Sequence, residues 1–166
     1  VFEEAIESSG RHFDFETTPK TAYPKGQYLA DFLTDRAVDF IQRHKDKPFL
    51  CFITPNAPHS PYNVEKKYRD LYADEDMPDD RKRFYGMITN IDENFQRLRG
   101  FLKEQELEED TILIFMTDNG TAKGADYDEQ MFISGGYNAG MRGIKASAYE
   151  GGHRVPFFLR YPAGGI

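Results

Sequence analysis

The sequence predicts an α/β fold, a mostly parallel central sheet sandwiched by helices, and three observations predict it. Short apolar runs alternate along the chain with amphipathic helical stretches. The runs are continuously apolar instead of alternating, as in strands covered on both faces. A long glycine-rich stretch directly follows one of them, at the strand end where open α/β sheets gather ligands. With 39% hydrophobic and 14% aromatic residues in 166 positions, there is material for a core, and a chain of this size buries roughly two thirds of its surface.

Residues 1–27 mix Ser, Thr, Pro, Gly and aromatics with no helical or strand period, and they predict an irregular N-terminal segment. The rest, 28–166, reads as part of one α/β domain. From about Tyr28 to His44, Leu33, Ala37, Phe40 and Ile41 fall at helical spacing, with Asp31, Asp35, Arg36, Gln42 and Arg43 elsewhere. Lys47-Pro48 ends that helix. Phe49-Leu50-Cys51-Phe52-Ile53 then predicts a strand covered on both faces. A second, longer helix is predicted over about Asp80 to Glu106, where Phe84, Met87, Ile88, Ile91, Phe95, Leu98 and Leu102 recur three or four residues apart. Thr111–Thr117 and Val155–Tyr161 predict two more strands, the second with a proline at its start. Between Asp118 and Ile144 the glycine-rich stretch predicts a long functional loop. No repeat or low-complexity tract occurs.

The formal charge of −7 opposes broad attraction to nucleic acid or anionic membranes, both of which need basic patches. No apolar run approaches the length of a membrane-spanning helix. The single cysteine, Cys51, excludes an internal disulfide and a multi-thiolate metal site. Within a predicted buried strand it packs as a small hydrophobe.

Three segments can carry chemistry. After the first predicted strand, Ala57-Pro58-His59-Ser60-Pro61 holds an imidazole in a proline-restricted loop. His59 is there either a donor to an anion or leaving group, or a loop histidine bonded to backbone. After the second, Asp118-Asn119-Gly120 offers two oxygen-bearing side chains suited to a hard cation, or alternatively an Asx turn. Calcium takes about six to eight oxygen ligands, so two side chains do not complete a site. Asn119-Gly120-Thr121 also matches a glycosylation sequon, a false match beside an ion site. In the third segment, Gly140 to Pro156, Arg142, Lys145 and Arg154 are either anion ligands or solvated cations. His153 reads as structural, and the carboxylates Glu104, Glu106, Glu108, Glu109 and Asp110 as a solvated helix end.

Taken in order and spacing, the His59 loop, Thr117-Asp118-Asn119-Gly120 and the run Arg142-Gly143-Ile144-Lys145 through Tyr149-Glu150-Gly151-Gly152-His153-Arg154-Val155-Pro156 resemble the arylsulfatase family of the alkaline-phosphatase superfamily. The resemblance covers about Tyr28 to Gly165. It implies an alkaline-phosphatase/sulfatase-like catalytic domain, truncated here, that hydrolyses sulfate esters. By that resemblance Asp118 and Asn119 are calcium ligands, with magnesium the lesser alternative. His59 contacts the sulfate or protonates the leaving alcohol, and Lys145 binds a sulfate oxygen.

The family's nucleophile is a formylglycine made from Cys or Ser in the pattern Cys/Ser-x-Pro/Ala-x-Arg, and no Cys or Ser of this chain begins it. The nucleophile is therefore expected upstream of residue 1, with further calcium ligands, and the chain is expected to be an inactive internal fragment. The family often has glycine on both sides of the lysine, where this sequence has Ile144 and Ala146. The resemblance further implies a sulfated small molecule or carbohydrate as substrate, no nucleic-acid or membrane partner, and a periplasmic or secreted location. Two rival functions remain: a phosphatase or phosphonate hydrolase of the same superfamily, with an upstream Thr or Ser nucleophile, and a catalytically dead anion-binding domain.

Overall fold

The computed structural model describes residues 26–121 and 126–166, so most of the expected irregular segment lies outside the described residues. The described residues divide into two compact units, 26–58 with Tyr62–Phe95, and His59–Pro61 with the described part of Gln96–Ile166. Helix α1 (Leu29–His44), the single turn α2 (Lys66–Arg69) and most of α3 (Asp79–Glu104) belong to the first. The second contains the end of α3, strands β1 (Leu113–Met116), β2 (Asp126–Tyr127) and β3 (Ile133–Gly135), the turn α4 (Glu150–His153) and strand β4 (Phe157–Arg160).

In the first unit the helical period forms both long helices, but the buried stripes are more polar than the apolar spacing suggests. On α1 the buried residues include Ala30, Thr34, Ala37 and Ile41, while Leu33 is only half-buried. Thr34 occupies a core position because its hydroxyl donates to the Ala30 carbonyl at 2.9 Å. On α3, Met87, Asn90 and Asn94 are buried and Ile88 is 40% exposed. The amides of Asn90 and Asn94 both donate to one Asp31 carboxylate oxygen, at 2.8 and 2.6 Å. Asp31 is thereby drawn from the predicted solvent face into a polar seam joining α1 to α3. The α2 turn lies on α3 at Gly86, where a Cβ would come 3.0 Å from the Tyr68 carbonyl carbon. Tyr68 itself is buried, with its hydroxyl donating to Glu93 at 2.6 Å.

The predicted strand Phe49–Ile53 is not formed: these residues carry no strand pairing, and Leu50 and Phe52 are 86% and 84% exposed. A strand needs a neighbour to take its backbone hydrogen bonds, and among the described residues none lies alongside.

In the second unit, β1 and β4 pair antiparallel, Leu113 opposite Arg160 and Met116 opposite Phe157. The glycine-rich stretch is more ordered than its lack of periodicity predicts. β2 and β3 form a small antiparallel hairpin, closed by Asp128, whose carboxylate accepts the N–H groups of Gln130 and Phe132, both at 2.9 Å. Both ladders are antiparallel, so the parallel pairing predicted for the central sheet is not formed among the described residues. The reason is the same: the apolar run that would supply a parallel neighbour is unpaired.

The carboxylate run after α3 is not simply a solvated helix end either. Glu108 has a side chain only 17% exposed and receives Arg99 at 3.1 Å and Arg160 at 3.3 Å, tying the helix terminus to β4.

Candidate active site

The four residues singled out by the sequence, His59, Asp118, Asn119 and Lys145, all fall in the second unit. His59 is exposed, and its Nδ1 lies 2.7 Å from the Ser60 carbonyl. A carbonyl can only accept, so Nδ1 carries the proton and, in the neutral ring, Nε2 is left with its lone pair. The backbone-bonded reading of this histidine is the one the structure shows, and it leaves Nε2 without a hydrogen bond among the described residues.

Strand β1 delivers Asp118 and Asn119 at its carboxyl end. The turn is braced from within: Thr117 donates its hydroxyl to the Asn119 carbonyl at 3.1 Å, and the Asn119 amide donates to the Gly120 carbonyl at 3.0 Å. Since the amide nitrogen faces Gly120, Oδ1 stays an acceptor. Asp118 is exposed, and its carboxylate makes no hydrogen bond or ion pair among the described residues.

The three candidate cations sort themselves. Arg154 pairs with Glu150 at 3.4 Å. Arg142 stacks its guanidinium 3.9 Å from the Tyr149 ring centroid and donates Nε to the Gln130 carbonyl at 2.8 Å. Of these three, Lys145 is the one whose charged group makes no hydrogen bond or ion pair among the described residues. Its backbone N–H donates to the Thr121 carbonyl at 2.7 Å, which sets Lys145 beside the Asp118–Asn119 turn. The backbone therefore joins the segment carrying Lys145 to the segment carrying Asp118 and Asn119, while His59 is bonded only within its own loop.

Sequence reasoning missed the scaffold behind Lys145. Ser147 Oγ accepts the Ile144 N–H at 3.2 Å, and buried Asn138 donates to the Met141 carbonyl at 2.7 Å. Gly143 donates to the Met131 carbonyl at 2.7 Å and Arg142 bridges Phe132, joining this segment to the hairpin. Asn138, between the pair Gly135-Gly136 and Gly140, was a readable turn signal; its partners, five and fewer residues on, were not.

Asp118 and Asn119 fit a hard cation in kind, since both offer oxygen. They do not suffice in number: no group of three or more His, Cys, Asp or Glu able to hold a metal occurs among the described residues.

A family model described as Sulfatase matches residues 2–165. The chain is 32% identical over 150 residues to an N-acetylgalactosamine-6-O-sulfatase of Bacteroides thetaiotaomicron, covering 89% of this chain and 28% of that protein. It superimposes on the crystal structure of Ps i-CgsB in complex with k-i-k-neocarrahexaose with a TM-score of 0.71 at 30% identity, covering 82% of this chain and 28% of that one. For the PsFucS1 sulfatase from Pseudoalteromonas sp. the TM-score is 0.60 at 28% identity, with coverages of 80% and 24%. The chain thus spans about a quarter of the length of these proteins, and its α/β class is theirs. The family model spans nearly the whole chain and the N-acetylgalactosamine-6-O-sulfatase is 32% identical over most of it, so this chain belongs to the sulfatase family.

Proposed function

We propose that this chain carries part of the active site of a sulfatase that cleaves sulfate esters of carbohydrates. The observation that carries the reading is the backbone hydrogen bond from Lys145 to Thr121, which joins a lysine whose ammonium has no partner among the described residues to the segment that carries the side-chain oxygens of Asp118 and Asn119. A sulfate monoester needs such a pair of functions: positive charge facing its oxygens, and acceptors that hold a cation beside them. Carbohydrate as the substrate class is supported by the relatives, one named for N-acetylgalactosamine-6-sulfate and one bound to a carrageenan oligosaccharide.

In this reading Lys145 donates to a nonbridging sulfate oxygen and stabilises the charge that grows there in the transition state. Asp118 and Asn119 give two oxygen ligands to calcium, and the remaining ligands come from outside the described residues. Calcium, when bound, supplies Lewis-acid charge to the sulfuryl group. His59, whose Nδ1 is fixed by Ser60, presents Nε2 to the ester oxygen; protonated, it donates to the departing alcohol. The nucleophile, a formylglycine, has no source motif in this sequence and is proposed to come from another part of the protein.

The test is hydrolysis of an aryl sulfate and an aryl phosphate, side by side, by the full-length protein matured with a formylglycine-generating enzyme, with and without calcium. We expect calcium-dependent preference for the sulfate, and a fall of roughly a hundredfold or more in kcat for His59→Ala, in line with general-acid contributions. Preference for phosphate would move the protein to a phosphatase or phosphonate hydrolase. Hydrolysis of neither would turn attention to an anion-binding domain.

A further inference from the structure

Asp118–Asn119 and Lys145 approach one another through backbone alone, and three glycines mark the path. The Gly120 N–H donates to the Gly152 carbonyl at 3.0 Å, and a Cβ on Gly120 would overlap the Gly151 carbonyl oxygen and reach its carbon at 2.8 Å. The Gly151 N–H donates to the Arg142 carbonyl at 2.8 Å, and a Cβ there would overlap the Gly143 carbonyl oxygen. On Gly143, at φ +93°, a Cβ would collide with the Ser147 hydroxyl and approach the Tyr149 Cβ at 2.6 Å. The bond from Lys145 N–H to the Thr121 carbonyl closes the circuit next to Gly120.

We propose that Gly120, Gly151 and Gly143 are positioning residues whose missing side chains fix the spacing between the Asp118–Asn119 pair and Lys145. The proposal rests on reading those residues as metal- and sulfate-binding. Gly120 and Gly151 are not among the residues at positive φ, so conformational freedom does not explain glycine there. Close approach does. The atoms a methyl group at these two positions would strike are main-chain atoms, not side-chain ends that can swing away. A methyl group at Gly151 therefore parts the segment 142–145 from the α4 turn, which itself holds the turn 118–121 through the Gly120–Gly152 bond, and the two functions move relative to one another. In a preorganised site a displacement on the order of 1 Å weakens function about a hundredfold.

The experiment uses the full-length protein with calcium removed by chelator, and two readouts: calorimetric calcium affinity, and inorganic sulfate affinity at saturating calcium. Gly151→Ala is expected to weaken both by roughly tenfold or more. Ser147→Ala removes only the oxygen that holds Ile144 beside the lysine, and is expected to weaken sulfate about threefold while leaving calcium binding unchanged. Gly140→Ala, at φ +70° but facing open space, should alter neither. A folded Gly151→Ala protein with either affinity unchanged overturns the proposal. If that variant does not fold, Gly120→Ala is measured in its place, and either affinity left unchanged overturns the proposal instead. An unsubstituted protein that binds neither calcium nor sulfate removes the metal- and sulfate-binding reading itself, and the positioning role with it.

Discussion

Ala146 sits at φ +69°, in the left-handed region that an L side chain enters at a cost of about 1–2 kcal/mol. It follows Lys145 directly, and the tight turn from Ile144 to Ser147, closed at 2.9 Å between backbone groups, imposes that conformation. The resemblance to arylsulfatases noted glycine around this lysine, and the dihedral angle gives its physical reason for position 146. Ala146→Gly should stabilise the protein by about 1 kcal/mol, less the added freedom of the unfolded chain, read as a rise in midpoint in urea denaturation. Asp79 offers a second test at this scale. The guanidinium of Arg83, then that of Arg69, holds its carboxyl below the usual range, at 2.7 Å from each Nε. A carboxyl whose folded value is depressed contributes stability that is present above its unfolded value and lost as pH falls through the folded one. The stability difference between Asp79→Asn and the unsubstituted protein should therefore narrow as pH drops below about 4, an effect that salt screens because the group is exposed.

At the scale of elements, the polar seam of α1 and α3 shows what patterning conceals. Period and length placed both helices within a residue or two of their ends, because helical spacing is a local property. Which residues on them are buried was less legible, since Asn90 and Asn94 read as surface residues until Asp31 is known to face them. Asn90 is wholly buried, so Asn90→Ala should cost about 1–3 kcal/mol from the lost bond and cavity, measured by thermal melting of the full chain. The chemistry-bearing segments were legible for the same reason as the helices: His59, Asp118, Asn119 and Lys145 stand in short runs whose composition is unusual. Their scaffold was not, because the partners of Gly120 lie about thirty residues away, at Gly151 and Gly152, and those of Gly151 lie at Arg142 and Gly143, and all are backbone atoms, which leave no mark on composition. The strand Phe49–Ile53 was misread in a related way. A continuous apolar run declares that both faces require cover, and says nothing about what supplies it.

For the molecule as a whole, that uncovered apolar surface is the dominant physical fact. Leu50 and Phe52 in the first unit are almost fully exposed, and in the second unit Ile112, Ile114, Met116, Phe157 and Phe158 on or beside the β1–β4 ladder are 48–63% exposed. Scattered exposed hydrophobic residues are ordinary, but contiguous ones on a strand pair or an unpaired apolar run drive association. The net charge of −7 opposes aggregation through repulsion, yet such repulsion is screened within about 10 Å at 0.1 M salt, whereas apolar attraction is not. The 166-residue chain expressed by itself should therefore self-associate reversibly, with a weight-average mass that rises with protein concentration and with salt in sedimentation equilibrium. Replacing Leu50 and Phe52 together by Glu should lower that mass at fixed concentration, because it removes apolar area and adds charge at one stroke. A chain that stays monomeric across the concentration range would mean that these residues are covered in solution by an arrangement in which they are no longer exposed.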